Sequence, residues 1–130
     1  MSTPTVFIVE DDLDTREMLE KFLELEGYHV ETAANGRQAL DRLDHGLKAC
    51  VIVLDLMMPV MDGWQFRLEQ SRREDLASIP VIVVSASGKE RLRRIEADSY
   101  LSKPVDLDEL LELHSFPTRR SSDLNRKSVV

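Results

Sequence analysis

Four short apolar runs, each followed at once by polar or charged residues, constrain the fold of this chain more than any other feature. The runs occupy residues 6–9, 51–54, 81–84 and 100–101. Unbroken apolar runs of this kind are typical of strands whose two faces are both covered, as in a parallel sheet. Helical patterns lie between the runs, so the sequence predicts an α/β domain in which helices connect parallel strands.

The intervals between the runs contain the expected helices. The first helix is predicted to begin near Asp14, with Asp12 as its N-cap. Its predicted inward residues are Met18, Leu19, Phe22 and Leu25. Further helices are expected from about residue 36, over 64–72 and over 89–96, and Asp106 is expected to cap a last one. A short second strand is expected over 29–32. A length of 130 residues fits one such domain.

Acidic, hydroxyl and basic residues stand where the apolar runs end. They are the pair Glu10 and Asp11, the lone Asp55, Ser85 and Lys103. Because ligands bind at the carboxyl ends of parallel strands, we expect these side chains to converge. Carboxylates alone would repel one another, whereas Mg²⁺ accepts oxygen ligands and keeps waters for a phosphoryl group. The pattern therefore indicates a site that handles phosphoryl groups.

These residues belong to four motifs that occur in a fixed order. The motifs are Val-Glu-Asp-Asp at 9–12, Asp-Leu-Met-Met-Pro-Val-Met-Asp-Gly at 55–63, Val-Val-Ser-Ala-Ser at 83–87 and Tyr-Leu-Ser-Lys-Pro at 100–104. Over about residues 5–113, the chain resembles the receiver domain of bacterial two-component response regulators. The intervals of 44 positions from Asp11 to Asp55 and 30 from Asp55 to Ser85 also match that family.

The resemblance implies a flavodoxin-like, doubly wound sheet of five parallel strands in the order 2-1-3-4-5. It implies that Asp55 accepts a phosphoryl group from a sensor histidine kinase or a phosphotransfer protein. It also implies that Mg²⁺ is held by Glu10, Asp11 and Asp55 together with the backbone carbonyl of Met57. The domain would then be a phosphorylation-gated signalling module and not an enzyme.

The remaining motif residues have implied roles in the response. Lys103 would pair with a phosphoryl oxygen, and the bond between Lys103 and Pro104 would be cis, as X–Pro bonds can be. Ser85 would donate a hydrogen bond to the phosphoryl group, and Tyr100 would rotate towards the space that Ser85 leaves. Considered alone, Tyr100 is expected to be a buried aromatic residue.

Charge and hydropathy limit the partners that are expected. Residues 1–113 contain 13 basic and 23 acidic residues, a net charge of −10, which argues against direct nucleic-acid binding by this domain. The chain lacks the ~18–20 consecutive apolar residues of a membrane span, and a cytoplasmic location is expected. The other expected partners are a downstream effector protein or domain and a second copy of the chain, in a homodimer formed on phosphorylation.

Other functions stay open at this stage. One is a Mg²⁺-dependent phosphohydrolase with an aspartate nucleophile, although such chemistry usually needs a second acid where this chain has Met57. Another is a receiver-like scaffold that is not phosphorylated, and a third is a nucleotide-binding domain, which would need a glycine-rich turn after the first strand. Ser85 and Lys103 are 18 positions apart, fewer than is usual for receivers, so the connection between strands 4 and 5 is shortened.

The last seventeen residues differ in character from the rest. Residues 114–130 carry a net charge of +3, and Pro117 ends any helix that enters them. The string at 114–124 resembles one reading frame of a short-read sequencing adapter. We therefore expect a domain at 1–113 with a truncated last helix, and a non-native or disordered tail at 114–130. The alternative is a native basic tail that binds nucleic acid or membrane.

Overall fold

The fold is built on one sheet of five parallel strands. A computed structural model describes residues 3–86 and 95–118. The strands lie in the order β2-β1-β3-β4-β5. Their bounds are β1 Thr5–Val9, β2 His29–Ala33, β3 Val51–Asp55, β4 Val81–Ser85 and β5 Ser99–Ser102. The predicted α/β class and the strand order 2-1-3-4-5 are both confirmed.

Five helices are present in the described ranges, and they cover both faces of the sheet. They are α1 Leu13–Leu25, α2 Gly36–Asp44, α3 Gly63–Ser71, α4 Glu74–Ala77 and α5 Leu107–Glu112. Helix α4 was not predicted, because a single turn is too short to show a helical period. Of the helix predicted at 89–96, residues 89–94 lie outside the described residues, and Ile95 and Glu96 are not helical.

The apolar runs are unbroken because successive strand residues enter two separate cores. On one face, β1 contributes Phe7 and Val9, which pack with Phe66 of α3. On the other face, Val6 and Ile8 of β1 pack with residues of α1 and α5. Side chains alternate between the faces of a strand, so a strand covered on both sides needs apolar residues at every position.

The buried face of α1 differs from the prediction. Leu19 and Leu23 are buried, whereas Met18 is 44% exposed and Leu25 is 85% exposed. At 100° per residue, Leu25 lies about 120° around the helix from Leu19, so both cannot face the sheet. The predicted cap is confirmed, since Asp12 precedes the helix and accepts a hydrogen bond from the Thr15 amide at 2.9 Å.

The start of the tail packs against the core. Phe116 is buried, and its ring meets Tyr28 edge to face with 5.1 Å between centroids. The Tyr28 hydroxyl donates a hydrogen bond to the carbonyl oxygen of Pro117 at 2.8 Å. Residues 119–130 lie outside the described residues. The boundary at 113 and the non-native origin of the tail stay predictions.

Gly63 permits a close approach between α3 and the end of β3. A Cβ at this position would lie 2.7 Å from the Asp55 carbonyl oxygen and 2.8 Å from the Leu56 Cα. Both neighbours are backbone atoms, which cannot move aside as a side chain can. The glycine therefore brings the first turn of α3 directly against the residue that follows β3.

We expect Gly63→Ala to lower the free energy of unfolding by about 1–3 kcal/mol, because the added methyl group forces the backbone apart. In an unconstrained helix, the same change would stabilise by up to about 1 kcal/mol. Urea unfolding measures the difference. Ser71→Ala, at the exposed end of the same helix, is the control and should change stability by less than about 0.5 kcal/mol. A Gly63→Ala protein at least as stable as the wild type would contradict the close approach.

Candidate functional site

The carboxyl ends of two neighbouring strands bring three acidic side chains together. Glu10 and Asp11 follow β1, and Asp55 is the last residue of β3. One carboxylate oxygen from each lies within 4.8 Å of the other two. Glu10 and Asp55 are 3% and 4% exposed, whereas Asp11 is exposed. The predicted convergence of the acids is therefore present in the structure.

A lysine from the loop after β5 reaches the two buried acids. The Lys103 Nζ lies 2.8 Å from Glu10 Oε1 and 3.5 Å from Asp55 Oδ1. Its backbone amide donates to the Ser85 carbonyl oxygen at 3.1 Å, which ties the loop to the end of β4. The following peptide bond, to Pro104, is cis, as the resemblance implied.

Burial and like charge shift the titration of the site. Burial, and after it the nearby Glu10 charge, raise the pKa of Asp55 to about 7, although Lys103 acts against both. Burial alone would lower the pKa of Lys103, but its hydrogen bond to Glu10 and the charge of Asp55 outweigh this, so the pKa is raised. The lysine therefore stays protonated, while the acids repel one another.

The cluster has the donor set of a hard divalent cation. All three side chains offer carboxylate oxygens, the ligands that Mg²⁺ and Ca²⁺ prefer. One ammonium group contacts the two buried acids, and the third, exposed acid lies beside them. One positive charge against three carboxyl groups leaves negative charge for a cation to neutralise. The residues present therefore fit a metal ion.

The other predicted residues lie nearby in different environments. Ser85 is fully buried, and Met57 is 51% exposed. The prediction that Tyr100 is buried was wrong, since its side chain is 42% exposed. Its hydroxyl donates to the Ile95 carbonyl oxygen at 2.5 Å and accepts from the Ala97 amide at 3.1 Å. These bonds hold the ring at the surface, beside the shortened connection between β4 and β5.

One contact at the site was missed by the sequence analysis. The Nη1 of Arg16, in the first turns of α1, donates to the backbone oxygen of Glu10 at 2.8 Å. The available signal was an arginine six positions after the first acid, on a helix that starts beside the site. An arginine on a surface helix is too common for that spacing to indicate a role.

Comparison with known proteins identifies the family. The family model for the response regulator receiver domain matches residues 6–114. The chain belongs to this family. It is therefore a receiver domain, homologous to the response regulators of two-component systems, and phosphorylation-gated signalling fits this assignment.

Individual relatives are consistent with this assignment. The chain is 42% identical over 113 residues to response regulator Rre1 of Synechocystis sp., covering 82% of this chain and 48% of the relative. It is 36% identical over 121 residues to the transcriptional regulatory protein CpxR homolog of Haemophilus influenzae, covering 90% and 51%. The chemotaxis protein CheY4 of Vibrio cholerae superposes with a TM-score of 0.77 at 30% identity, covering 85% and 95%.

The receiver domain spans about half the length of the curated relatives it matches. No helix within the described part of the chain is long and apolar enough to cross a membrane.

We expect Lys103→Met to lower the free energy of unfolding by about 2 kcal/mol, measured by urea titration without divalent cations. The change leaves two buried acids without their ammonium partner, which costs about 3–5 kcal/mol for a fully buried pair and less for a lysine that is one-quarter exposed. In a Glu10→Gln background, the same substitution should cost clearly less, because the closer partner is already neutral.

The control is Lys48→Met, which removes an exposed lysine far from the acids and should change stability by less than about 0.5 kcal/mol. Equal costs of Lys103→Met in the wild-type and Glu10→Gln backgrounds would show that the ion pair is energetically unimportant.

Proposed function

We propose that Asp55 is the phosphoryl acceptor of this receiver domain. The observation that carries the proposal is a buried carboxylate at the end of β3, with two further acids within 4.8 Å and a lysine at 3.5 Å. A carboxylate oxygen of Asp55 would attack the phosphorus atom of a phosphohistidine. The new P–O bond would form as the P–N bond breaks, giving an acyl phosphate and a free histidine.

The receiver's own groups would position and neutralise the transferred phosphoryl group. Such a transfer depends mostly on positioning and charge stabilisation. Lys103, already 3.5 Å from Asp55 Oδ1, would pair with a phosphoryl oxygen. Amide groups near Met57 and Ala86 would donate to other phosphoryl oxygens. The rigid strand ends hold these groups in place before the reaction, which lowers the cost of ordering them.

The acids would hold Mg²⁺, with Asp11 and Asp55 as direct ligands and Glu10 acting directly or through water. The backbone carbonyl of Met57 would supply a further oxygen. When bound, the ion would neutralise the carboxylates and the negative charge of the phosphoryl group.

Ser85 and Tyr100 would convert phosphorylation into a change of surface. The Ser85 hydroxyl would move to donate to the phosphoryl group, and Tyr100 would rotate from its exposed position into the space released. The local change of charge would thus be transmitted through a side chain with two positions.

Partners follow from the same proposal. The phosphoryl donor would be a sensor histidine kinase or a phosphotransfer protein, and the recipient of the signal a downstream effector protein or domain. One relative is named a transcriptional regulatory protein, so the output of a longer protein can involve DNA. The acidic receiver itself would not bind nucleic acid or membrane, would work in the cytoplasm and could pair with a second copy when phosphorylated.

The alternatives receive less support. A phosphohydrolase usually carries a second acid two residues after its nucleophile, where this chain has the half-exposed Met57. The proposed receiver is therefore not an enzyme that turns over an external substrate. A scaffold that is never phosphorylated would have no need to keep two buried acids and a lysine together.

We expect incubation with acetyl phosphate and Mg²⁺ to add one phosphoryl group to the chain, measured by intact-mass spectrometry. Asp55→Asn should abolish the gain, because an amide is not the required nucleophile, and omission of Mg²⁺ should reduce it strongly. Asp12→Asn is the matched control. It removes a neighbouring carboxylate and keeps an equally good N-cap for α1, so its gain should equal that of the wild type.

A folded wild-type protein that gains no mass would contradict the proposal and favour the scaffold. Equal gains in Asp55→Asn and the wild type would instead place the phosphoryl group on another residue.

We expect phosphorylation to change the environment of Tyr100 and Ser85→Ala to reduce that change by at least half. The reason is that alanine cannot donate to the phosphoryl group. Incorporation of 3-fluorotyrosine allows this to be measured by ¹⁹F NMR, because the chain has only two tyrosines. The buried Tyr28 is an internal control that should not shift, and intact mass gives the phosphorylated fraction. Equal shifts of Tyr100 in both proteins would exclude a role for Ser85 in the switch.

A further inference from the structure

Four hydrogen bonds hold Glu10 in the structure. Its backbone amide donates to the Ala33 oxygen at 3.0 Å, and its two carboxylate oxygens face Lys103 at 2.8 Å and the Asp12 amide at 3.1 Å. Its backbone oxygen accepts from Arg16 at 2.8 Å. Ala33 belongs to the sheet, Lys103 to the candidate site and Asp12 to the cap of α1, so the first three bonds are accounted for. The fourth is made by a side chain to which the phosphorylation chemistry assigns no role.

The Arg16 bond fixes a peptide plane that belongs to the site. The oxygen that Arg16 binds lies in the rigid plane that also contains the Cα of Asp11. Pairing of β1 with β3 ends at Val9 and Leu54, so Glu10 lies beyond that ladder. A side chain in the first turns of a helix points back towards the helix N-terminus, which places the guanidinium beside the loop. Arg16 thus restricts the direction in which Asp11 leaves the backbone.

We propose that Arg16 is a positioning residue that orients Asp11 for binding the divalent cation of the acidic cluster. This inference rests on the proposed function of the site. Asp11 is the exposed member of the cluster, whereas Glu10 and Asp55 are buried. The direction of an exposed ligand depends more on its backbone than on packing. Arg16 acts through that backbone and does not touch the ion.

The charge of Arg16 and its proposed positioning role predict opposite changes in cation affinity when the side chain is removed. The positive charge of Arg16 repels a cation nearby, so its removal would strengthen cation binding if charge were the only contribution. If Arg16 positions Asp11, its removal weakens binding, because loss of a group that orients a metal ligand typically costs 10–100-fold in affinity. The direction of the change therefore separates the two roles.

The experiment is a Mg²⁺ titration of the full chain, followed by ¹H–¹⁵N NMR shifts of the amides in residues 9–12. We expect Arg16→Met to weaken Mg²⁺ binding about tenfold, the lower end of that range. Arg16→Lys, which keeps a charge and a long donor, should recover most of the loss. The matched control is Lys21→Met, which removes an equal charge from an exposed position on the same helix. It should bind Mg²⁺ as tightly as the wild type, or slightly more tightly.

The same spectra show whether each variant is folded, and Arg16→Gln replaces Arg16→Met if the latter is not. Affinity in the neutral variant equal to or above that of the wild type would overturn the positioning role and leave the proposed function intact. A folded wild type whose amide shifts do not respond to Mg²⁺ would overturn both. The proposal would be supported if the neutral variant binds Mg²⁺ more weakly than the wild type, Arg16→Lys recovers most of the affinity, and Lys21→Met loses none.

Discussion

The site depends on how one ammonium group is shared among carboxylates that the fold forces together. Glu10 and Asp55 are almost completely buried, and Lys103 lies nearer to Glu10 than to Asp55. Burial and the charge of Glu10 therefore raise the pKa of Asp55 to about 7, and the more distant Lys103 offsets them only in part. The same imbalance suits the proposed chemistry, because the remaining negative charge attracts a divalent cation to the proposed nucleophile.

The sheet creates this conflict of charges by ending its strands together. Residues of β3 and β4 are paired up to Asp55 and Val84, and β4 and β5 are paired up to Ser85 and Ser102. In a parallel sheet, equal registers place the strand ends on one edge, where no further strand residue separates the polar groups. The apolar runs thus have two effects, since they build both cores and determine which residues emerge at the edge.

The strands, the order of the elements and the grouping of the acids could be predicted because each depends on local pattern or on strand ends. The side chains that were mispredicted depend on contacts that leave no local pattern. Leu25 has the spacing of a core residue, but the orientation of α1 on the sheet places it outside. Tyr100 is held at the surface by two backbone groups of the preceding connection. Arg16 donates to the backbone oxygen of Glu10, which lies beyond the end of the pairing between β1 and β3. The position of that end cannot be read from the sequence.

The shortened connection between β4 and β5 also gives Tyr100 a specific role under the proposed switch. Its hydroxyl bonds to Ile95 and Ala97, which lie in that connection. Inward rotation of the ring would break both bonds, each worth about 0.5–1.5 kcal/mol, and would free the backbone that they hold. The two bonds thus oppose the switch. The free energy needed to break them would have to come from the hydrogen bond between Ser85 and the phosphoryl group. Under the proposed switch, phosphorylation of Asp55 is thereby coupled to the backbone that directly precedes β5.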